Sequence, residues 1–325
     1  MAAGLSVDLD CWRREFDELM LRVGGRFARV EPRRRVAAFV RGLLAGLARV
    51  NCWSIAEHAG ERGPRGMQRL LSAAVWDEAG VRDDLRGYVL EHFANPDAVL
   101  VVDGTGDLKK GTMTAGTQRQ YTGTAGRAEN AQVAVYLTYA APAGSAFIDR
   151  ALYLPRSWTS DPARCRAAGV PGDVVFATRP ALARQMTGRA LDAGAQAAWM
   201  TAGVRPGPAA AVELARRGLG YVLAVAKSHP VTTPAGTCPA SELARQLPAR
   251  AWQRLPAGPG AKGPRWYDWA LIDVTGPAVP DGTGPQWLLI RRRISDGGYA
   301  FYRAHAPRPG AIGAARAGSR IPVEG

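Results

Sequence analysis

Asp103-Gly104-Thr105-Gly106-Asp107-Leu108-Lys109-Lys110-Gly111 closes the apolar run Ala98-Val99-Leu100-Val101-Val102, and the rest of the chain is read outward from it. Five apolar residues that give way abruptly to Asp and Gly predict a buried strand delivering a carboxylate to the rim of a sheet. An acid with two lysines just beyond it suits a phosphate-and-metal site. The same pattern also ends strands that hold nothing. If the strand runs on past Asp103, Asp107 falls on the same face, because side chains an even number apart point the same way.

Upstream, the spacing predicts helices. Leu9, Trp12, Phe16, Leu19, Met20 and Val23 fall at helical intervals behind a capping Asp8 or Asp10, and Gly24-Gly25 stops them. A second helix is predicted from Pro32, a favoured first-turn residue, to about Val50. It opens on Arg33, Arg34 and Arg35, cations at the end where the helix dipole disfavours them, which suggests a partner outside the helix. Shorter helices are predicted over 54–58, 64–74 and 77–93. Residues 1–95 thus read as a basic helical domain, suited to a DNA backbone or simply carrying a solvated arginine face.

Downstream, residues 111–126 read as a Gly- and Thr-rich loop containing Arg119, followed by strands over 132–139 and 146–154 around the turn Pro142-Ala143-Gly144. Helix and strand then alternate: helix 179–193, strand 197–202, helix 208–217, strand 221–226. Residues 230–263 read as loop with one short helix, and strands follow over 265–274, 286–294 and 299–304. Strands first and alternation afterwards predict an α/β domain over 96–325, a mixed sheet with helices packed on it.

Composition narrows the partners. Forty-two Lys and Arg against 28 Asp and Glu leave a formal charge of +14, which favours a polyanion such as double-stranded DNA. A GC-rich coding bias would raise Arg in the same way. Cys11, Cys52, Cys165 and Cys238 lie far apart, as do the four histidines, so no zinc spacing is present and a reduced chain is expected. No apolar stretch reaches the length of a membrane span, and Asp8 and Asp10 stand where a signal peptide would be basic and then apolar. A cytoplasmic protein is expected.

Several ordered motifs carry a resemblance. They are Asp103-Gly104-Thr105-Gly106, Lys109-Lys110-Gly111, Arg119-Gln120-Tyr121-Thr122-Gly123, Leu152-Tyr153-Leu154-Pro155-Arg156-Ser157-Trp158 and Lys262-Gly263-Pro264-Arg265-Trp266-Tyr267-Asp268-Trp269, with Asn51-Cys52-Trp53-Ser54-Ile55-Ala56-Glu57 ahead of them. Together they resemble one insertion-sequence group of DDE transposases. The resemblance implies a ribonuclease-H-like mixed sheet flanked by helices, an N-terminal helical domain and a β-rich insertion over about 230–305. It also implies DNA strand cleavage and transfer with two Mg²⁺ or Mn²⁺ ions held by three carboxylates.

The chain departs from that pattern at the acids. The group has an adjacent Asp pair where this chain has Asp103-Gly104, and the second Asp is taken as the first ligand. The second acid falls on Gly203, and the third matches Glu324 in an Arg-x-x-x-Glu pattern with Arg320. Because Gly325 follows at once, the family's final helix is expected to be missing, leaving an apolar face suited to a homodimer. The resemblance therefore leaves Asp103 and Glu324 as catalytic remnants, with Asp103, Asp107 and Glu324 the available metal ligands. Arg33, Arg34, Arg35, Lys109, Lys110, Arg119 and Arg320 are the expected DNA contacts. Two alternatives stay open: a non-catalytic regulatory DNA-binding protein, and a scaffold turned to another reaction in a pocket between Gly104 and Gly203.

Overall fold

A computed structural model describes residues 8–204, 207–260, 263–274 and 284–307. The chain divides into two compact units, Met1–His92 and Phe93–Gly325. The first contains helices α1 (Leu9–Gly24), α2 (Val30–Leu44), α3 (Cys52–His58), α4 (Arg65–Ser72) and most of α5 (Glu78–Phe93). Asp8 caps α1 by accepting the N–H groups of Asp10 and Cys11, and Asn51 with Ser54 forms a reciprocal capping box on α3. The helices close over two small cores. In one, Val23, Phe27 and Leu70 are buried with Val36 and Phe39 against them; in the other, Ile55, Ala56 and Met67 pack with Ala38 and Leu47. Gly42 lets α2 and α3 approach, since a Cβ there would stand 2.8 Å from Ile55 Cγ2.

The second unit follows as β1 (Val99–Leu108), β2 (Gln118–Thr122), β3 (Arg127–Ala141), β4 (Gly144–Tyr153), α6 (Arg156–Thr159), α7 (Pro162–Ala167), α8 (Arg179–Asp192), β5 (Trp199–Ala202), α9 (Gly207–Arg216) and β6 (Gly220–Val225). Then come β7 (Pro230–Thr233), β8 (Gly236–Pro239), α10 (Ala240–Gln246), β9 (Gln253–Gly260), β10 (Gly263–Asp273), β11 (Gln286–Arg293) and β12 (Tyr299–His305). Among the described residues, β7 and β8 form a separate hairpin and the other ten strands form one sheet. Its heart is the order β4-β3-β1-β5-β6, with β1, β3 and β4 antiparallel and β5 and β6 parallel to β1. This is the ribonuclease-H-like mixed sheet. The β-rich segment extends it, because β12 pairs antiparallel with β6 and carries β11, β10 and β9 to the edge.

Burial alternates strictly along β3: Val133, Val135, Leu137 and Tyr139 are buried, and their neighbours are only half-buried. Leu100 and Val102 of β1 share that buried face, toward α8. Beneath β11 and β12, Leu288, Ile290 and Phe301 pack against Ala240 and Ala244 of α10. The edge strand β9 places Pro256 opposite Trp266, and the β9–β10 register shifts between Pro264 and Trp266.

Candidate active site

β1 does not end at Asp103. It continues to Leu108, but its two neighbours part company along the way. The parallel ladder to β5 runs only as far as Val102 opposite Ala202, with Gly203 N–H still donating to Val102 O at 3.1 Å, whereas the antiparallel ladder to β3 continues to Leu108. Asp103 therefore stands where the sheet splits. A split at the carboxyl end of parallel strands is where open α/β sheets hold their ligands.

Alternation puts Val101, Asp103 and Thr105 on the face opposite α8, and Tyr136 lies directly across from Asp103 on β3. The Asp103 carboxylate accepts its neighbour's N–H, Gly104 N to Oδ1 at 2.8 Å. Its side chain reaches solvent at one edge, yet burial of the remainder pushes its pKa up, and the Gly104 N–H only partly offsets this. Among the described residues, no cation faces it.

Position 203 looks straight at this group. A Cβ built on Gly203 would lie 3.0 Å from Asp103 Oδ1, with Asp103 Cγ at 3.7 Å the other contact within 4 Å among the described residues. Gly104 points the other way, its Cβ direction meeting Val204 Cγ1 at 3.7 Å and Ala134 O at 3.9 Å. Asp103, not position 104, thus shares a face with position 203. The two glycines open toward opposite sides of the sheet and do not form one pocket. A groove of about 380 Å³ does lie between α8 and α9, but its floor is Met200, on the helix-covered face away from Asp103.

Several expected site residues are placed elsewhere. Asp107 shares the strand face with Asp103, but four residues of strand separate them by about 13 Å, too far for one ion to bind both. Asp107 is instead ion-paired with Lys109. Lys109 thereby serves its own turn, which Asn130 holds by donating to Lys109 O at 2.7 Å and Gly111 O at 3.0 Å. Lys110 and Arg119 are exposed, Arg119 on the outward face of β2. In the helical unit Arg33 donates to Phe27 O at 3.0 Å and Arg35 pairs with Glu61 at 2.8 Å. Those two arginines make contacts within their own domain; Arg34 is exposed and makes no such bond among the described residues. Arg320 and Glu324 lie outside the described residues, as does Lys262.

The motif residues downstream form a clamp rather than a reactive cluster. Trp158 is fully buried, and its Nε1 donates to Thr117 O at 3.0 Å. Arg164 stacks on its ring at 3.8 Å and donates to Thr112 O and Thr117 O. Gln120 donates to Ala131 O at 2.7 Å and accepts from Arg179 at 3.0 Å. Gly116, at φ +78°, lets the loop reach β4, where a Cβ would stand 2.8 Å from Tyr153 O. The Trp of the Leu-Tyr-Leu-Pro motif was the available signal for this clamp; the arginines that complete it gave none.

The sequence matches the family of DDE superfamily endonucleases over residues 22–268. A probable transposase for insertion sequence element IS701 from Microchaete diplosiphon is 32% identical over 94 residues, covering 29% of this chain and 25% of that protein. The match therefore spans about a quarter of the relative's length. Enzymes of the family generally use divalent metal ions. The described residues do not fit such a centre: no three His, Cys, Asp or Glu side chains gather among them. No helix among them is long and apolar enough to cross a membrane. A ribonuclease-H-like sheet and a match running through most of the sequence together show that the chain belongs to the DDE superfamily endonucleases.

Proposed function

We propose that this chain is a DNA-binding transposase homologue whose strand cleavage and transfer are impaired, because a hydrogen atom stands where the acid facing Asp103 belongs. The observation that carries the reading is the 3.0 Å from Asp103 Oδ1 to the Cβ direction of Gly203. On this reading Asp103 is the surviving first acid and Gly203 the missing second one. A metal ion held by Asp103 alone lacks most of the oxygen ligands that Mg²⁺ requires. The net charge of +14 and the exposed Lys110 and Arg119 support retention of duplex DNA as partner.

The test is a pair of measurements on the full chain. With Mg²⁺ or Mn²⁺, duplexes carrying element ends should remain uncut by the natural sequence. Gly203→Asp should gain Mn²⁺ binding, read as a metal-dependent rise in Tm absent from the parent. Robust cleavage by the parent chain, abolished by Asp103→Ala, overturns the reading. So does a Gly203→Asp chain that folds but shows no metal-dependent shift.

A further inference from the structure

The arginines of the helical unit fall into two populations. Arg22, Arg26, Arg35 and Arg41 all hold carboxylates, at 2.6 to 2.8 Å in their closest pairs. Arg62, Arg65 and Arg69, like Arg14, Arg29, Arg34 and Arg49, are exposed and hold none among the described residues. From Arg62 to Trp76 the sequence has no Asp or Glu, so no local acid offsets the first three. Glu61, the nearest acid in sequence, is engaged by Arg35.

These free cations are arranged by the fold. α2, α3 and α4 pack on one another, and α3 joins α4 through the turn 59–64. The turn opens with a Schellman motif: Gly60, at φ +72°, donates to Glu57 O at 3.0 Å, and Glu61 N–H reaches Ala56 O at 2.8 Å. α4 turns Gly66, Met67 and Leu70 inward. Met67 belongs to the Ile55 core and Leu70 to the Phe27 core, while a Cβ on Gly66 would collide with Glu61 and Arg35 at 2.4 to 2.5 Å. The opposite face presents Arg65, Gln68 and Arg69 to solvent. Ser72, one turn on, is already satisfied by donating to Gln68 O at 2.8 Å. The Gln68 amide has no partner among the described residues.

We propose that α3 and α4 form a helix-turn-helix unit in which α4 reads the major groove of duplex DNA, Arg65 and Arg69 at guanines and Gln68 at an adenine. Arg62, in the turn, takes a backbone phosphate. The proposal rests on the DNA partner inferred above and names the surface and side chains that meet it. The dimensions agree: a helix about 10–12 Å across enters a groove about 12 Å wide. From Arg65 to Arg69 the helix rises about 6 Å, roughly two base-pair steps. The chemistry agrees as well, because Arg suits the O6 and N7 acceptors of guanine and Gln the N7 acceptor and N6 donor of adenine. The two buried side chains and Gly66 fix which face is presented.

The test selects bound sequences from a randomised duplex library with the full chain and with Arg65→Ala, Gln68→Ala and Arg69→Ala. Circular dichroism melting confirms that each variant folds. Each substitution should relax base preference about tenfold or more at one or two neighbouring positions. Arg14→Ala, which removes an exposed charge on α1, should leave the selected motif unchanged. A triple variant that folds and selects the parent motif overturns the proposal, as does a parent chain that binds duplexes with no preference. If the parent binds no duplex even at low salt, the DNA partner itself fails, and this proposal with it.

Discussion

Asp149 and Asp103 lie on the same sheet, two strands apart and on opposite faces, and their surroundings differ in burial and in counter-charge. Asp149 is buried on β4, but Arg189 of α8 reaches it at 3.0 and 3.3 Å and Arg150 N–H at 2.7 Å. Asp103 is exposed to solvent, with one backbone N–H and no facing cation among the described residues. Asp149 has its counter-charge within the chain, and among the described residues Asp103 has none. The contrast marks Asp103 as a carboxylate for which the described residues supply no counter-charge.

Breaking the compensated corner should have the largest effect. Arg189→Ala removes the guanidinium that pairs with the buried Asp149, and should destabilise the fold by about 1–3 kcal/mol, reduced from a fully buried pair because Arg189 is partly exposed. Urea unfolding measures it, and a loss below about 0.5 kcal/mol would erase the distinction between the two corners. Asp103→Asn should act in the opposite direction and more weakly. The raised pKa means that the folded chain binds more protons than the unfolded one between the ordinary carboxylate value and the raised value. Stability therefore falls as pH rises through the raised pKa, so Asp103→Asn should raise Tm at pH 7, and the gain should fade as pH drops below about 4. A gain that stays constant down to acid pH would show that desolvation of the charge is not its cause. Lys109→Ala should be smallest, within about 0.5 kcal/mol, since its partner Asp107 is well exposed.

Much of this contrast was legible in the sequence, and some of it was not. The run 98–102 and the alternation after residue 179 disclosed β1, β5, β6 and the helices between them, because a buried strand must be apolar whatever its neighbours. The edge elements were missed. β2 lies within a Gly- and Thr-rich stretch, and β7, β8 and β9 within Pro- and Gly-rich ones. A strand held by its neighbour's ladder needs little propensity of its own. The face of Asp103 relative to position 203 followed from register, which no spacing rule supplies across 100 residues. Arg35 reads as free in sequence because its partner Glu61 lies 26 positions away. That Arg65 and Arg69 share the outward face of α4 is fixed only once Met67 and Leu70 are seen to be buried.

The outermost strand β9 also bears on how the protein behaves at high concentration. A wide sheet that ended in a regular, fully donating strand would be a template on which further copies could polymerise. Pro256 withholds a backbone hydrogen from that rim, and the irregularity beside Pro264 twists it out of line. Replacing Pro256 with a β-branched residue would remove one of these guards, and aggregation into β-rich particles should then begin at lower concentration.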